Sequence, residues 1–304
     1  MRFCHAACAA ILVLLAGCAH GEPPALRDLR ILAADDMAGR ATGTEGAAKA
    51  RAYLLGRLQA LGLEPAHERF EHPFVFEREG RPHTGINLVA KVEGTGRSDR
   101  VQVITAHYDH LGVRDGEVFN GADDNASGVA ALLAVAEEFK RRPPVHTTVF
   151  ALLDAEEVGQ RGAHSFVAQP PVALARIAIN LNLDMVSKSD KGELYVAGGH
   201  HFPWMKPRLD RLARRAAVTL RQGHDGPPWQ GQDDWTTQSD HFAFHQAGVP
   251  WIYLGVEDHP QYHRPTDDFE TVPQDFFLRS VATVVAAARL FDSELDAIAR
   301  EAGR

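Results

Sequence analysis

Val149-Phe150-Ala151-Leu152-Leu153-Asp154-Ala155-Glu156-Glu157 carries five apolar residues straight into acids, with no polar residue inside the run. A short unbroken apolar run of this kind is the pattern of a strand buried on both faces, as in a parallel sheet covered by helices on either side. Val101 to Ala106 is a short, largely apolar strand, Arg176 to Asp184 a strand with β-branched or apolar residues at alternate places, and Glu68 to Glu79 and Ile86 to Glu93 read as further strands. Ala25 to Ala34, Glu45 to Leu61 and Asn125 to Arg142 place apolar residues at helical spacing, and Gln274 to Arg300 predicts one long C-terminal helix. Strand and helix alternate. The pattern predicts an α/β three-layer sandwich with a central mixed, mostly parallel twisted β-sheet flanked by helices.

Sheets of this class gather ligands beyond the carboxyl ends of their strands. His107 ends the Val101 strand, Glu156-Glu157 follow the Val149 run, and Asp184 ends the Arg176 strand. Two further segments carry the same residue types beside turn formers: Gly121-Ala122-Asp123-Asp124-Asn125 and Tyr262-His263. Two histidines, a carboxylate able to bridge, a glutamate pair and a further aspartate form the inventory of a two-metal hydrolase, whose ions sit about 3.5–4 Å apart. Imidazole and carboxylate without thiolate suit zinc first, with cobalt or manganese acceptable. Neighbouring glutamates on an extended chain point to opposite sides, so the pair divides into one ligand and one base. Glu137-Glu138, by contrast, reads as the solvated face of a helix. Spacing leaves open whether Asp123 or Asp124 bridges.

The opening segment 1–17 combines Arg2 with the apolar run Ala9 to Ala16, the anatomy of a signal peptide and too short to span a bilayer. Leu15-Ala16-Gly17-Cys18 resembles the bacterial lipobox, which makes Cys18 the lipidated first residue of the mature chain and residues 18–24 a short tether. Cys4 and Cys8 leave with the signal, so no internal disulfide is expected; a chain of this length buries enough apolar surface without one. Residues 25–304 then form a single catalytic domain. The expected location is the bacterial envelope, in the outer membrane facing the periplasm. With Lys+Arg 32 against Asp+Glu 40 and a net charge of −8, the chain has no basic stripe for nucleic acid. A monomer is the simplest expectation.

Taken in order, several motifs resemble the co-catalytic two-zinc exopeptidases, the family of secreted bacterial aminopeptidases whose relatives include glutaminyl cyclases and transferrin-receptor-type ectodomains. They are Gly39-Arg40 with Gly43-Thr44-Glu45-Gly46, Ala106 to Gly112, Asn120 to Gly128, Asp154 to Gly159, Asn182 to Met185, Ser239 to Phe242 and Tyr262 to Asp268. The resemblance implies two Zn2+ ions, one held by His107 and Asp184, the other by Glu157 and His263, with Asp124 bridging. It implies Glu156 as general base, Tyr262 as donor to the tetrahedral oxyanion, and a cis peptide between Asp124 and Asn125. Asp109 is the expected orienting partner of the His107 imidazole, and Asp240 a supporting acid. The implied substrates are peptides with a free N-terminus. A glutaminyl cyclase-like zinc enzyme and a non-catalytic binding lipoprotein are the alternatives, and aminopeptidase is not separated from carboxypeptidase or dipeptidase.

Most of the 16 histidines remain unassigned, His110, His200, His201, His224, His241 and His245 among them. His259 precedes Pro260 and fits the ligand pattern less well than His263. Ser239-Asp240-His241 is no serine triad, because adjacent residues cannot adopt that geometry. Gly223 to Trp235 lacks period and is expected to wall the cleft together with Trp251.

Overall fold

The computed structural model describes residues 21–227 and 233–304. The expected signal segment, Cys18 and the start of the tether lie outside the described residues, as does 228–232 of the expected cleft wall.

The elements follow as α1 (Pro24–Leu32), a 3-10 turn (Asp35–Arg40), α2 (Glu45–Ala60), β1 (Glu64–Pro65), β2 (Glu71–Arg78), β3 (Arg81–Val92) and β4 (Val101–His107). After the small hairpin β5 (Gly112–Arg114) and β6 (Glu117–Phe119) come α3 (Gly128–Arg141), β7 (Thr147–Leu153), α4 (Arg161–Ala168), β8 (Ile177–Leu183) and β9 (Glu193–Ala197). The chain closes with α5 (Lys206–Ala213), β10 (Thr219–Gln222), α6 (His241–Gln246), β11 (Trp251–Gly255), α7 (Gln274–Ser293) and α8 (Leu295–Glu301). The main sheet runs β1-β3-β7-β4-β8-β11-β9-β10, with β2 paired to β3. Its centre, β7-β4-β8-β11, is parallel throughout, while β3 joins β7 and β9 joins β11 antiparallel.

The unbroken apolar strands are explained by cover on both faces. In β7, Phe150 and Leu152 pack into the large core with α1, α2, α3, α7 and α8, while Val149, Ala151 and Leu153 pack on the other face against Phe166 and Phe244 of α4 and α6. Burying each such side chain stabilises by about 1.5–3 kcal/mol, so the period-two alternation is present but apolar on both sides.

Two expectations shift. The helix read from Asn125 starts at Gly128, because Asn125 spends its amide on the turn before it: Oδ1 accepts from Gly128 N (3.0 Å) and Met185 N (3.1 Å), and Nδ2 donates to Leu183 O (2.9 Å). The single C-terminal helix is two, α7 and α8, parted at Glu294. There Asp292 accepts from the backbone of Val145 and His146, and Glu294 turns to Arg208 and Arg211; these tertiary bonds outweigh helix propensity. The antiparallel pairing of β9 with β11 was not anticipated, each strand being only five residues long.

Arg40 fastens the N-terminal turn to the loops at the sheet's carboxyl edge. The side chain is fully buried and donates to the carbonyls of Tyr108 (2.8 Å), Leu32 (2.6 Å), Asn120 (2.6 Å) and Gly121 (3.0 Å). Burial pulls its pKa down to about 10 against the attraction of Asp124 and Asp267, so the guanidinium is charged at neutral pH. Arg40→Met should leave the carbonyls of Leu32, Tyr108 and Asn120 without that donor, Gly121 O keeping the N–H of Ala126, and cost at least about 3 kcal/mol, read as a lower urea midpoint with an unchanged slope.

Candidate metal centre

Three neighbouring strands deliver the first residues. His107 is the last residue of β4, Asp184 follows β8, and Glu156-Glu157 lie just past β7 in a turn where Ala155 takes φ 60°. Asp124 enters from the turn ahead of α3, and His263 from the loop after β11. His107 Nε2 stands 3.2 Å from Asp184 Oδ1 and 3.4 Å from Asp124 Oδ1. His263 Nε2 stands 3.0 Å from Asp124 Oδ2 and 3.4 Å from Glu157 Oε2. The two oxygens of Asp124 thus face two separate histidine–carboxylate groups.

Asp123 has no such freedom. Its oxygens accept from Ser187 N (2.7 Å), Ser187 Oγ (2.8 Å), Ser127 Oγ (3.1 Å) and His259 Nε2 (3.0 Å). The geometry that sequence left open is therefore divided between a structural Asp123, with His259 as its partner, and an Asp124 facing the cleft. Asp267, fully buried, holds both residues by accepting the N–H groups of Asp123 and Asp124, and is itself paired with Lys188 Nζ at 2.6 Å. The Asp124–Asn125 peptide is cis.

Asp109 contacts His107 by a different atom from the one expected. The imidazole Nδ1 faces the Asp109 backbone carbonyl at 3.2 Å, while the carboxylate lies 3.7 Å away. That carboxylate instead accepts the N–H of Glu156 (3.0 Å) and of Glu157 (3.3 Å). The glutamate pair therefore owes its direction to a capped turn rather than to strand alternation. Ser239 Oγ donates to Asp184 Oδ2 at 2.6 Å, which leaves Oδ1 toward His107. Asp240 is buried with both oxygens lacking a hydrogen-bond partner among the described residues, and burial raises it to about 8.

Electrostatics fit a cation site. Burial raises Glu156 well above the usual carboxylate range and Asp124 to about 6, the latter aided by neighbouring Glu157. Burial pulls His263 down, but its bonds to Asp124 and Glu157 outweigh that and hold it near 10. His107, Asp124 and Asp184, and likewise His110, Asp124 and Glu157, bring ligand atoms within 4.8 Å of one another. The donor set is nitrogen and carboxylate oxygen, which fits divalent zinc.

Sequence reasoning missed His110, which sits in this cluster, and misplaced Trp251. The Trp251 ring is fully buried and donates from Nε1 to His245 (3.1 Å), packing among Tyr195, Trp235 and Tyr253. Trp235 rather than Trp251 lines the cleft, with Gln160, Gln238, Asp258 and Tyr262. Tyr262 stacks on His263, ring centroids 3.9 Å apart.

A sheet whose carboxyl edge gathers buried histidines and acids in this order defines a metal-type hydrolase site. The profile of Peptidase family M28 matches residues 87–288, and the chain belongs to that family. It is 36% identical over 243 residues to a probable lipoprotein aminopeptidase of Mycobacterium tuberculosis, covering 69% of this chain and 46% of that protein. A zinc aminopeptidase structure from Bacillus subtilis aligns with TM-score 0.56 and 26% identity over 70% of this chain and 52% of that one. A Porphyromonas gingivalis glutaminyl cyclase aligns with TM-score 0.71 over 87% of this chain and 96% of that one, at 17% identity, which shows the shared fold alone. The chain spans less than half the length of the first curated relatives it matches.

Beneath the cluster, buried His241 donates from Nε2 to Trp235 O (2.9 Å), and burial pulls its pKa to about 3. Unfolded, a histidine titrates near about 6.5, so the unfolded chain binds one more proton between those values. This contribution is complete above pH 6.5 and is lost as pH falls toward 3, with a slope approaching about 1.4 kcal/mol per unit. Urea midpoints from pH 7 to 4.5 should therefore fall less steeply in His241→Gln than in wild type; equal slopes would mean that the native imidazole is already protonated.

Proposed function

We propose that the protein is a zinc-dependent aminopeptidase that removes residues from the free N-terminus of peptides, using two ions and Glu156 as general base. The observation that carries this reading is Asp124, with Oδ1 toward His107 and Asp184 and Oδ2 toward His263 and Glu157. His107 and Asp184 would hold one ion, Glu157 and His263 the other, and Asp124 both. Zinc bound there lowers the pKa of water and polarises the scissile carbonyl.

The chain's own residues supply the proton traffic. Glu156, kept basic by burial, takes the proton of the attacking water and passes it to the leaving amine. Burial and the acids around it keep the Tyr262 phenol protonated, so its O–H is available to donate to the developing oxyanion at the cleft rim. The acids of the site suit the ammonium of a free N-terminus, and a cleft of about 190 Å³ suits a chain end.

The relatives named as aminopeptidases, one of them a probable lipoprotein, support the substrate class and an envelope location. Export, the lipid anchor at Cys18 and an outer-membrane, periplasm-facing position belong to this reading; no described helix is long and apolar enough to cross a membrane. One continuous core from α1 to α8 supports residues 25–304 as a single domain.

Elemental analysis of the soluble chain starting after Cys18 should find two zinc ions, and chelation should abolish release from aminoacyl p-nitroanilides while N-acetylated ones stay intact. One ion, with cyclisation of N-terminal glutamine instead of release, would overturn this reading. Glu156→Gln should keep both ions and lose about 10²–10⁴ in turnover, whereas Asp124→Ala should lose metal; near-normal activity in the first would remove Glu156 as base.

A further inference from the structure

His110 has no part in the reading above, yet its side chain is wholly enclosed at the edge of the site. Its Nδ1 lies 2.6 Å from Glu157 Oε1 and 3.6 Å from Asp124 Oδ2, and its Nε2 is buried without a hydrogen-bond partner among the described residues. The ring fits because residue 121 has no side chain. A Cβ on Gly121 would stand 2.5 Å from His110 Cδ2 and 2.6 Å from Cγ, and Gly121 adopts φ 56°, a region glycine enters without penalty. With the Cδ2 edge against that backbone, the Nδ1 edge is directed at Glu157.

The two oxygens of Glu157 are thereby divided, Oε1 to His110 and Oε2 toward His263 at 3.4 Å. We propose that His110 is a positioning residue of the second metal site: its Nδ1–H donates to Glu157 Oε1, stops the carboxylate rotating, and leaves Oε2 as the one oxygen offered to the ion. The assignment rests on the two-ion reading. Direct ligation by His110 fits less well, because its Nδ1 stands at hydrogen-bond distance, 2.6 Å, from Glu157 Oε1, closer than His263 Nε2 stands to either of its carboxylates, and the packed ring has no room to turn. His263, 39% exposed on the open side, has no such restriction.

Hydrogen-bond partners of metal ligands typically contribute about 10–100-fold in metal affinity. The test titrates the chelated soluble chain with Zn2+ against a competing chelator, and separately with Co2+ followed by visible absorption, in wild type, His110→Ala and His110→Asn. Circular dichroism confirms folding. His110→Ala should bind the first ion as wild type does and the second about 10–100-fold more weakly, with the second ion's Co2+ bands keeping their positions. His110→Asn, which retains an N–H donor near the Nδ1 position, should recover most of that loss and serves alone if the alanine variant does not fold. Unchanged affinity for both ions in the folded variants would overturn the assignment. So would shifted Co2+ bands in His110→Ala and His110→Asn with both ions retained by His263→Ala, which would make His110 a ligand. A wild-type chain that takes up a single ion would remove the two-ion reading and this role with it, and is seen before any variant is compared.

Discussion

Asp124, Glu156, Glu157 and Asp184 line one pocket at the carboxyl edge of the sheet, with Asp240 fully buried nearby, and holding that many carboxylates so close together is the constraint to which the surrounding structure responds. An ionised carboxylate buried without compensation costs several kcal/mol even after relaxation. Three kinds of compensation are present. Imidazoles of His107, His110 and His263 stand against the acids, and backbone N–H groups are turned toward Asp109 and Asp267 behind them. Two buried cations, Arg40 and Lys188, brace the loops from outside the pocket. Burial pushes Glu156, Asp124 and Asp240 upward, and Asp240, whose oxygens have no hydrogen-bond partner among the described residues, reaches about 8. A pocket balanced by residues this costly is what a cation site requires, and that is the physical content of the two-ion reading.

The same constraint explains what sequence revealed. The strand ends bearing His107 and Asp184, and the acids after β7, were legible because a doubly buried strand has a distinctive apolar run and because chemistry collects where such a run stops. Asp124 was narrowed to two candidates but not chosen by spacing, since the choice depends on Ser127, Ser187 and His259 occupying Asp123, contacts made across 4, 64 and 136 residues of chain. His110 was illegible for a related reason: its role depends on Glu157, 47 residues onward, and on the missing side chain at Gly121. Asp109 was expected to orient His107 with its carboxylate, but that carboxylate serves the glutamate turn, a contact that position on one strand does not foretell. The broken C-terminal helix follows the same rule, with tertiary bonds at Asp292 and Glu294 deciding what local propensity does not.

The strand order β7-β4-β8 also accounts for why the residue shared by the two groups comes from outside the sheet. Neighbouring strands lie about 4.8 Å apart, so acids beyond β7 and β8 flank the central His107 at nearly twice that distance from one another. In the two-ion reading, His107 with Asp184 and His263 with Glu157 would each hold one ion. No strand-end side chain there can present its two oxygens between them, because each is already committed to its own side. The shared carboxylate must descend from above the edge, on backbone held at both ends. Asp124 meets this requirement: the turn carrying it is fixed by Arg40 through Gly121 O, by Asp267 at its N–H, and by Asn125 to the end of β8. The N-terminal Gly-Arg turn, remote from the chemistry in sequence, is in this sense part of the site's geometry.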